Sequence, residues 1–90
     1  MNKSDLIVTV SEKTEMAKKD VEKIVNAVIE SIIDTVKSDE KVQLVGFGTF
    51  ERRYRAERQG RNPATNEEIT IPALYVPVFK AGKAFRDKVK

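Results

Sequence analysis

The chain has 90 residues, with 17 Lys+Arg against 14 Asp+Glu, a formal net charge of +3, and 40% hydrophobic and 34% charged residues. It has no Cys and no His, which excludes disulfide frameworks, thiolate or imidazole metal sites and the commonest general acid–base group. The paired acids Asp39-Glu40 and Glu67-Glu68 have no pocket or metal cluster predicted beside them, so we expect no enzymatic activity, cofactor, metal or small-molecule substrate. No window approaches the roughly 18 apolar residues of a membrane span, which predicts a cytoplasmic protein without a membrane anchor.

The charge is unevenly distributed along the chain. Residues 1–40 hold six lysines and nine acids, whereas residues 41–90 hold eleven basic and five acidic residues. Five of the six arginines fall between Arg52 and Arg61, with Glu57 as the only acid. A solvated charged face is the ordinary interpretation of such a run, but the planar donor fork of arginine suits phosphate recognition, and the asymmetry predicts an acidic polymer as partner.

The first predicted element is a short helix. Asn2 is in the position of an N-cap, Asp5 is the third helical residue, and Leu6, Ile7 and Val10 share one face. The β-branched run from Ile7 to Val10 would favour a strand, but the following polar residues continue at helical spacing, so we predict a helix.

A second helix is predicted by apolar residues at three- and four-residue steps. They cover about half of the circumference, which is wider than the roughly 100° stripe of a helix with one buried side. The members of this apolar stripe are Val21, Ile24, Val25, Val28, Ile29, Ile32, Ile33 and Val36. Either the first helix and the sheet cover the extra surface, or a second copy of the chain does; a domain this small favours the second copy.

From Lys41 the period changes to two residues. A strand containing Val42 and Leu44, a glycine turn and a second strand that starts by Phe50 and runs to about Arg58 are predicted, followed by a turn over residues 60–66. Ile69, Ile71 and residues 75–79 form a return strand with a free edge, because Pro72 and Pro77 interrupt it. A short helix over residues 82–89 ends the chain.

These elements make an α+β fold in a single domain, residues 1–90. We expect residues 1–40 to form a helical hairpin that a second copy of the chain would cover in a dimer, and residues 41–90 to form a three-stranded antiparallel sheet, a long β-ribbon arm over residues 52–76 and the C-terminal helix. The outgoing strand of the arm has too few apolar residues to be core. If it is regular, Arg53, Arg55 and Arg61 lie on one face and Arg52 and Arg58 on the other.

At the tip of the arm, Pro63 follows Arg61 and Asn62. Ordinary turn chemistry explains an isolated Asn-Pro pair. An apolar ring flanked by cations is also what a minor-groove binder uses to separate a base step, and the neighbouring arginines favour that interpretation.

Several motifs together identify a family resemblance. G-F-G-T-F at residues 46–50, the arginine run, G-R-N-P-A-T at residues 60–65, N-K-S-D-L-I near the start and V-P-V-F-K-A-G-K-A near the end resemble the bacterial histone-like HU proteins, relatives of integration host factor. The resemblance covers essentially the whole chain. It implies an intertwined, obligate dimer whose two arms embrace duplex DNA through the minor groove, bend it and compact it in the nucleoid.

The resemblance also implies roles for individual residues. Pro63 would be the intercalating wedge, with Arg61 and Asn62 beside it at the tip. Arm contacts would be Arg53, Arg55 and Arg58; phosphate contacts along the body would be Lys3, Lys80, Lys83 and Arg86; and the dimer core would contain Phe47, Phe50 and Phe79, together with Ile29 and Ile32 of the apolar stripe.

Some positions depart from the usual family pattern: Arg52, Tyr54, Glu57, Gln59, Leu74 and Tyr75. Tyr54, Leu74 and Tyr75 would form an apolar patch at the base of the arm if they meet. We expect DNA binding with little base readout and a preference for bent, nicked or distorted duplex. The alternatives are a sequence-preferring protein like integration host factor, an RNA-binding protein and a pure protein-interaction module; the dimer partner is an identical chain or a paralogue.

Overall fold

The computed structural model describes residues 1–90 and divides the chain into two compact units, residues 1–34 and 35–90. It contains three helices and five strands in an α+β arrangement. The elements are α1 (Lys3–Thr14), α2 (Lys18–Lys37), β1 (Val42–Leu44), β2 (Gly48–Arg55), β3 (Arg58–Arg61), β4 (Glu68–Ile71), β5 (Leu74–Ala81) and α3 (Lys83–Val89).

Helix α1 begins with a reciprocal cap. The backbone N–H of Asp5 donates to Oδ1 of Asn2 at 2.9 Å, and the backbone N–H of Asn2 donates to Oδ2 of Asp5 at 3.2 Å. Two backbone donors at the helix start are therefore satisfied. The predicted N-cap is confirmed, and the strand alternative suggested by the β-branched run is wrong.

Helix α2 ends in a turn of the Schellman type. The N–H of Asp39 donates to the carbonyl of Val36 at 3.0 Å, and the N–H of Glu40 donates to the carbonyl of Thr35 at 3.1 Å. This pair of bonds satisfies carbonyls at the end of the helix and puts the C′ residue in the left-handed region. That residue is Asp39, with φ 65°.

The sheet has the strand order β1-β2-β5, with all pairs antiparallel. A tight turn joins β1 to β2, in which the N–H of Phe47 donates to the carbonyl of Leu44 at 2.9 Å and Gly46 has φ 84°. A positive φ at the third turn residue requires glycine, which explains the first glycine of the G-F-G motif.

The arm is interrupted where the sequence predicts an outgoing strand that continues to about Arg58. Strand β2 ends at Arg55, and β3 and β4 form a separate two-stranded ribbon. The pairing does not slip, because two residues drop out on each side: Arg55 pairs with Leu74, and the next pair is Arg58 with Ile71.

The two prolines explain the interruption. Pro77 lies inside β5 and pairs with Arg52, and β5 has only β2 as a neighbour. The missing N–H of Pro77 is tolerated because it points to the free edge. Pro72 is five residues away and thus of opposite parity, so its missing N–H would face the partner strand. The free edge and the predicted interruption at Pro72 are confirmed, whereas Pro77 does not interrupt β5.

Side-chain burial is low for a folded chain. Val21 is the one apolar residue that is buried, at 1% exposure. Ile24, Val28, Ile29 and Ile33 of the apolar stripe are 51, 51, 42 and 57% exposed. These side chains are apolar surface in the single chain.

Candidate nucleic-acid interface

The pairing of β2 with β5 separates two chemically different faces of the sheet. Antiparallel partners lie on the same face and alternate residues on opposite faces. One face, called here the charged face, carries Thr49, Glu51, Arg53 and Arg55 of β2 with Leu74, Val76, Val78 and Lys80 of β5. The other, called the aromatic face, carries Phe50, Arg52 and Tyr54 of β2 with Tyr75, Pro77 and Phe79 of β5. The predicted separation of Arg53 and Arg55 from Arg52 is confirmed.

Glu51 is the centre of an ion-pair network on the charged face. Its carboxylate lies 2.8 Å from Nζ of Lys80, 3.3 Å from Nζ of Lys41 and 3.8 Å from a guanidinium nitrogen of Arg53. The hydrogen bond from Lys80, followed by that from Lys41, lowers the pKa of Glu51 below its ordinary value. The lysine side chains remain 56 and 71% exposed while the Glu51 side chain is only 11% exposed. The network therefore leaves cations at the surface and the carboxylate beneath them. The sequence analysis missed Glu51, for which no sequence signal exists beyond its place in an arginine-rich strand.

The arginines of the outer ribbon lie on its two faces. Arg58 pairs with Ile71, and Arg61 pairs with Glu68. Arg61 also has a 4.0 Å contact with the Glu68 carboxylate and keeps 63% of its side chain exposed. The opposite orientation of Arg58 and Arg61 is as predicted. The regular strand that would join Arg61 to the face of Arg53 and Arg55 is absent, because the ladder is interrupted between them.

The tip is a turn fixed by its own hydrogen bonds. The side-chain Oδ1 of Asn62 accepts from the N–H of Ala64 at 2.9 Å, and the backbone carbonyl of Asn62 accepts from the N–H of Asn66 at 2.7 Å. Asn66 has φ 60°, a conformation that Asn tolerates better than most residues. These two hydrogen bonds to Asn62 hold the turn that contains Pro63, and the Pro63 ring is exposed. The structure gives Asn62 a role in holding the tip, which its place beside Pro63 had not indicated.

The remaining predicted phosphate contacts are all exposed. Lys3 is the first residue of α1, and Lys83 and Arg86 lie in α3. Lys3 belongs to the unit of residues 1–34, and the other two to the unit of residues 35–90.

The predicted aromatic residues form a cluster. The ring of Phe79 has its centroid 4.7 Å from that of Phe50 and 5.2 Å from that of Phe47. Phe85 of α3 stacks on Phe47 at 5.1 Å and was missed, because a single aromatic in a short helix carries no periodic signal. A Cβ at Gly48 would lie 2.6 Å from the Phe79 ring, so the second glycine of the motif admits that ring.

Of the five residues predicted for the dimer core, three are exposed in the single chain and two are half-buried. Phe47 and Phe79 are 43 and 38% exposed, Phe50 and Ile32 are half-buried, and Ile29 is exposed. The proposed dimer core is therefore apolar surface in the single chain.

Other kinds of site are not formed. No three His, Cys, Asp or Glu side chains lie close enough together to hold a metal ion. None of the helices has the length and apolar character needed to cross a membrane.

Comparison with known proteins gives consistent matches over the full length. A family model described as bacterial DNA-binding protein matches residues 1–90. DNA-binding protein HU from Clostridium pasteurianum is 60% identical over 89 residues, covering 99% of this chain and 98% of the relative. DNA-binding protein HU 1 from Bacillus subtilis is 54% identical over 89 residues, covering 99 and 97%.

Solved structures of HU proteins also match over nearly the full length of the chain. Anabaena HU in a cocrystal with DNA superimposes with a TM-score of 0.94 at 53% identity, covering 99% of this chain and 97% of that one. HU from Thermotoga maritima gives a TM-score of 0.72 at 37% identity, with both chains fully covered.

Proposed function

The chain belongs to the HU family of bacterial DNA-binding proteins, and on that premise we propose that it is an architectural protein that binds and bends duplex DNA with little sequence specificity. The family is one of DNA-binding proteins and not of enzymes, in agreement with the composition. The observation that carries the proposal is the charged face, where Arg53, Arg55 and Lys80 share one side of the strands that lead into the arm.

A homodimer supplies two such arms. The exposed apolar stripe of α2 and the exposed rings of Phe47 and Phe79 support it, because a chain with one buried apolar residue has too little core to be stable alone. Ile29 and Ile32 would lie at this interface with the three phenylalanines. We expect a single dimeric species in sedimentation equilibrium, and a folded monomer at micromolar concentration would contradict it.

Phosphate neutralisation supplies the affinity. Arg53, Arg55, Arg58 and Arg61 would contact the DNA backbone along the arm, and Lys3, Lys80, Lys83 and Arg86 would contact it along the body. If six to ten contacts form per dimer, affinity falls by about a thousand- to a hundred-thousandfold between 50 and 200 mM salt.

Pro63 is the proposed wedge. Its exposed ring has no donor, and the turn closed by Asn62 presents it beside Arg61. Insertion into a minor-groove base step costs a few kcal/mol, which is offset by the additional surface that bent DNA brings to the protein. Nicked, bent or distorted duplex costs less to deform, so we propose a preference for it. Such a role places the protein with DNA in the nucleoid.

The test separates bending from binding. A short duplex labelled at both ends is titrated with wild type, Pro63→Ala and Arg55→Ala at two salt concentrations, and end-to-end distance and affinity are measured by fluorescence transfer. Pro63→Ala is expected to reduce bending more than affinity. Arg55→Ala is expected to weaken binding to every sequence and flatten the salt dependence. A duplex that stays straight at saturation with wild type would overturn the proposal.

The charged face also suits duplex RNA, and competition decides between the two. A-form RNA has a shallow minor groove that suits wedge insertion poorly. Nicked DNA is therefore expected to displace duplex RNA, and site preference of the integration-host-factor kind would appear as unequal affinity among DNA sequences of equal length.

A further inference from the structure

Arg52 differs from every other arginine of the arm in what surrounds it. Its side chain is 25% exposed, compared with 54% for Arg53 next to it. Its Nε donates to Oδ1 of Asp39 at 3.2 Å, and its guanidinium carbon lies 3.8 Å from the centre of the Tyr75 ring. Because its Nε and its flat face are engaged within the protein, Arg52 is less available to phosphate than the exposed Arg53.

Tyr75 is held in turn by Tyr54. The two residues are directly paired across β2 and β5, and their rings meet edge to face with centroids 5.4 Å apart. Both rings are more than half exposed, at 59% for Tyr54 and 54% for Tyr75. Contacts between side chains and not deep burial therefore hold the group together. The tyrosine contact left open by the sequence is made in the structure.

Asp39 supplies its carboxylate to Arg52 from a left-handed backbone conformation. It occupies the C′ position after α2 with φ 65°, where glycine is the usual residue and any side chain is disfavoured. The only contact shown for that side chain is the one with Arg52.

We propose that Asp39, Arg52, Tyr54 and Tyr75 form a bracket that fixes the root of the arm to the turn between α2 and β1, with Arg52 as the positioning residue. The bracket lies just before the ladder ends at Arg55 and Leu74. It limits the directions that the outer arm can take and thereby the bend that the dimer imposes on DNA. This consequence rests on the proposed function, whereas the bracket itself does not.

The first test uses the free protein. Arg52→Met keeps an unbranched apolar stem that reaches as far as the arginine Nε, and it removes the charge and both contacts. Amide hydrogen exchange in β2 and β5 near Tyr54 and Tyr75 is expected to accelerate about tenfold, the combined effect of one cation–π contact and one exposed ion pair. Arg53→Met makes the same chemical change on the charged face and is expected to leave these rates within about twofold of wild type. Equal acceleration in both variants, or none in Arg52→Met, would overturn the bracket.

A second pair of variants protects the test against a general loss of stability. Asp39→Gly should relieve the left-handed backbone and raise the midpoint of thermal unfolding, yet accelerate exchange at the arm root. Glu15→Gly relieves the same conformation after α1, where φ is 57°, and should raise the midpoint with no change at the arm root. Unchanged exchange in Asp39→Gly would contradict the proposal even if Arg52→Met behaves as expected.

The last measurement uses DNA. Wild type and Arg52→Met are compared on the end-labelled duplex at saturation, and Arg52→Met is expected to give a broader distribution of end-to-end distances. Accelerated exchange with an identical distance distribution would overturn the link between bracket and bend. Accelerated exchange with DNA that even wild type leaves straight would leave the bracket intact and refute the proposed function.

Discussion

Strands β2 and β5 of the three-stranded sheet continue along the chain into strands β3 and β4 of the outer ribbon, and both pairs share one register. Different contacts nevertheless stabilise the sheet and the ribbon. Phe50 and Phe79 of the sheet pack with Phe47 of the β1–β2 turn and Phe85 of α3, and Glu51 forms ion pairs with three cations. The ribbon has backbone pairing, the 4.0 Å contact of Arg61 with Glu68 and a 3.4 Å hydrogen bond from Gln59 to Thr70. An isolated two-stranded ribbon is marginal in water. The sheet from which the arm extends is therefore well packed, whereas the outer ribbon is stabilised by few side-chain contacts. Such a ribbon can change its direction when it meets a partner.

Removing one large apolar side chain from each region should give the largest difference. Phe79 and Ile69 are similarly exposed, at 38 and 41%, but Phe79 touches three other rings. Phe79→Ala is expected to lower the free energy of unfolding by about 3 kcal/mol or more, and Ile69→Ala by about 1 kcal/mol or less. Chemical denaturation measures both. Equal losses would mean that the ribbon is as well packed as the sheet.

Adding one methyl group to a glycine of each region should give a smaller difference. At Gly48 the new Cβ would lie 2.5 Å from the Lys80 carbonyl and 2.6 Å from the Phe79 ring, which are rigid neighbours. At Gly60 it would lie 2.9 Å from Cδ1 of Ile71, the end of a flexible side chain. Gly48→Ala is expected to cost about 1–3 kcal/mol. Gly60→Ala is expected to be within about 0.5 kcal/mol of wild type, since alanine also restricts the unfolded chain. A loss at Gly60 that matches the loss at Gly48 in thermal unfolding would contradict this.

Protonation of Glu51 at acid pH should lower the stability of the sheet, and this is the smallest of the expected changes in stability. Since Lys80 and Lys41 lower the pKa of Glu51 in the folded chain, its carboxylate stabilises the fold above the ordinary pKa of 4.5. That contribution is lost as the pH falls through the lowered value. Glu51→Gln should therefore flatten the dependence of the unfolding midpoint on pH below about 4.5.

The same variant tests the charged face. Glu51→Gln frees Lys80 from its carboxylate partner and is expected to raise affinity for duplex DNA by about two- to fivefold at low salt, the range of an exposed ion pair. Weaker binding by a variant of normal stability would show that Glu51 orients Lys80 for DNA instead of competing for it.

Much of the site could be predicted from local pattern. Parity along β2 put Arg53 and Arg55 opposite Arg52, and this is confirmed, because a strand alternates its faces whatever surrounds it. The turn residues and the wide stripe of α2 were also evident, since both follow from spacing and residue type.

The alternation of residues along β2 did not reveal which arginine packs against the protein and which stays exposed. Arg52 and Arg53 are chemically identical neighbours, and only the approach of Asp39 and Tyr75, 13 and 23 positions from Arg52, separates their roles. Likewise, the spacing of Pro72 and Pro77 was visible, but the side of the strand that pairs with β2 decided which proline breaks the ladder.

The sequence by itself determined the order of elements, the family and the cationic arm, because helix caps, period and turn chemistry act over a few residues and the family motifs span the chain. The tertiary structure decided which charges are engaged and which are available: Glu51 beneath Lys80 and Lys41, Arg52 against Tyr75, and Phe85 against Phe47. These contacts join residues far apart in the chain, so they depend on how the elements meet and not on the pattern within any one of them.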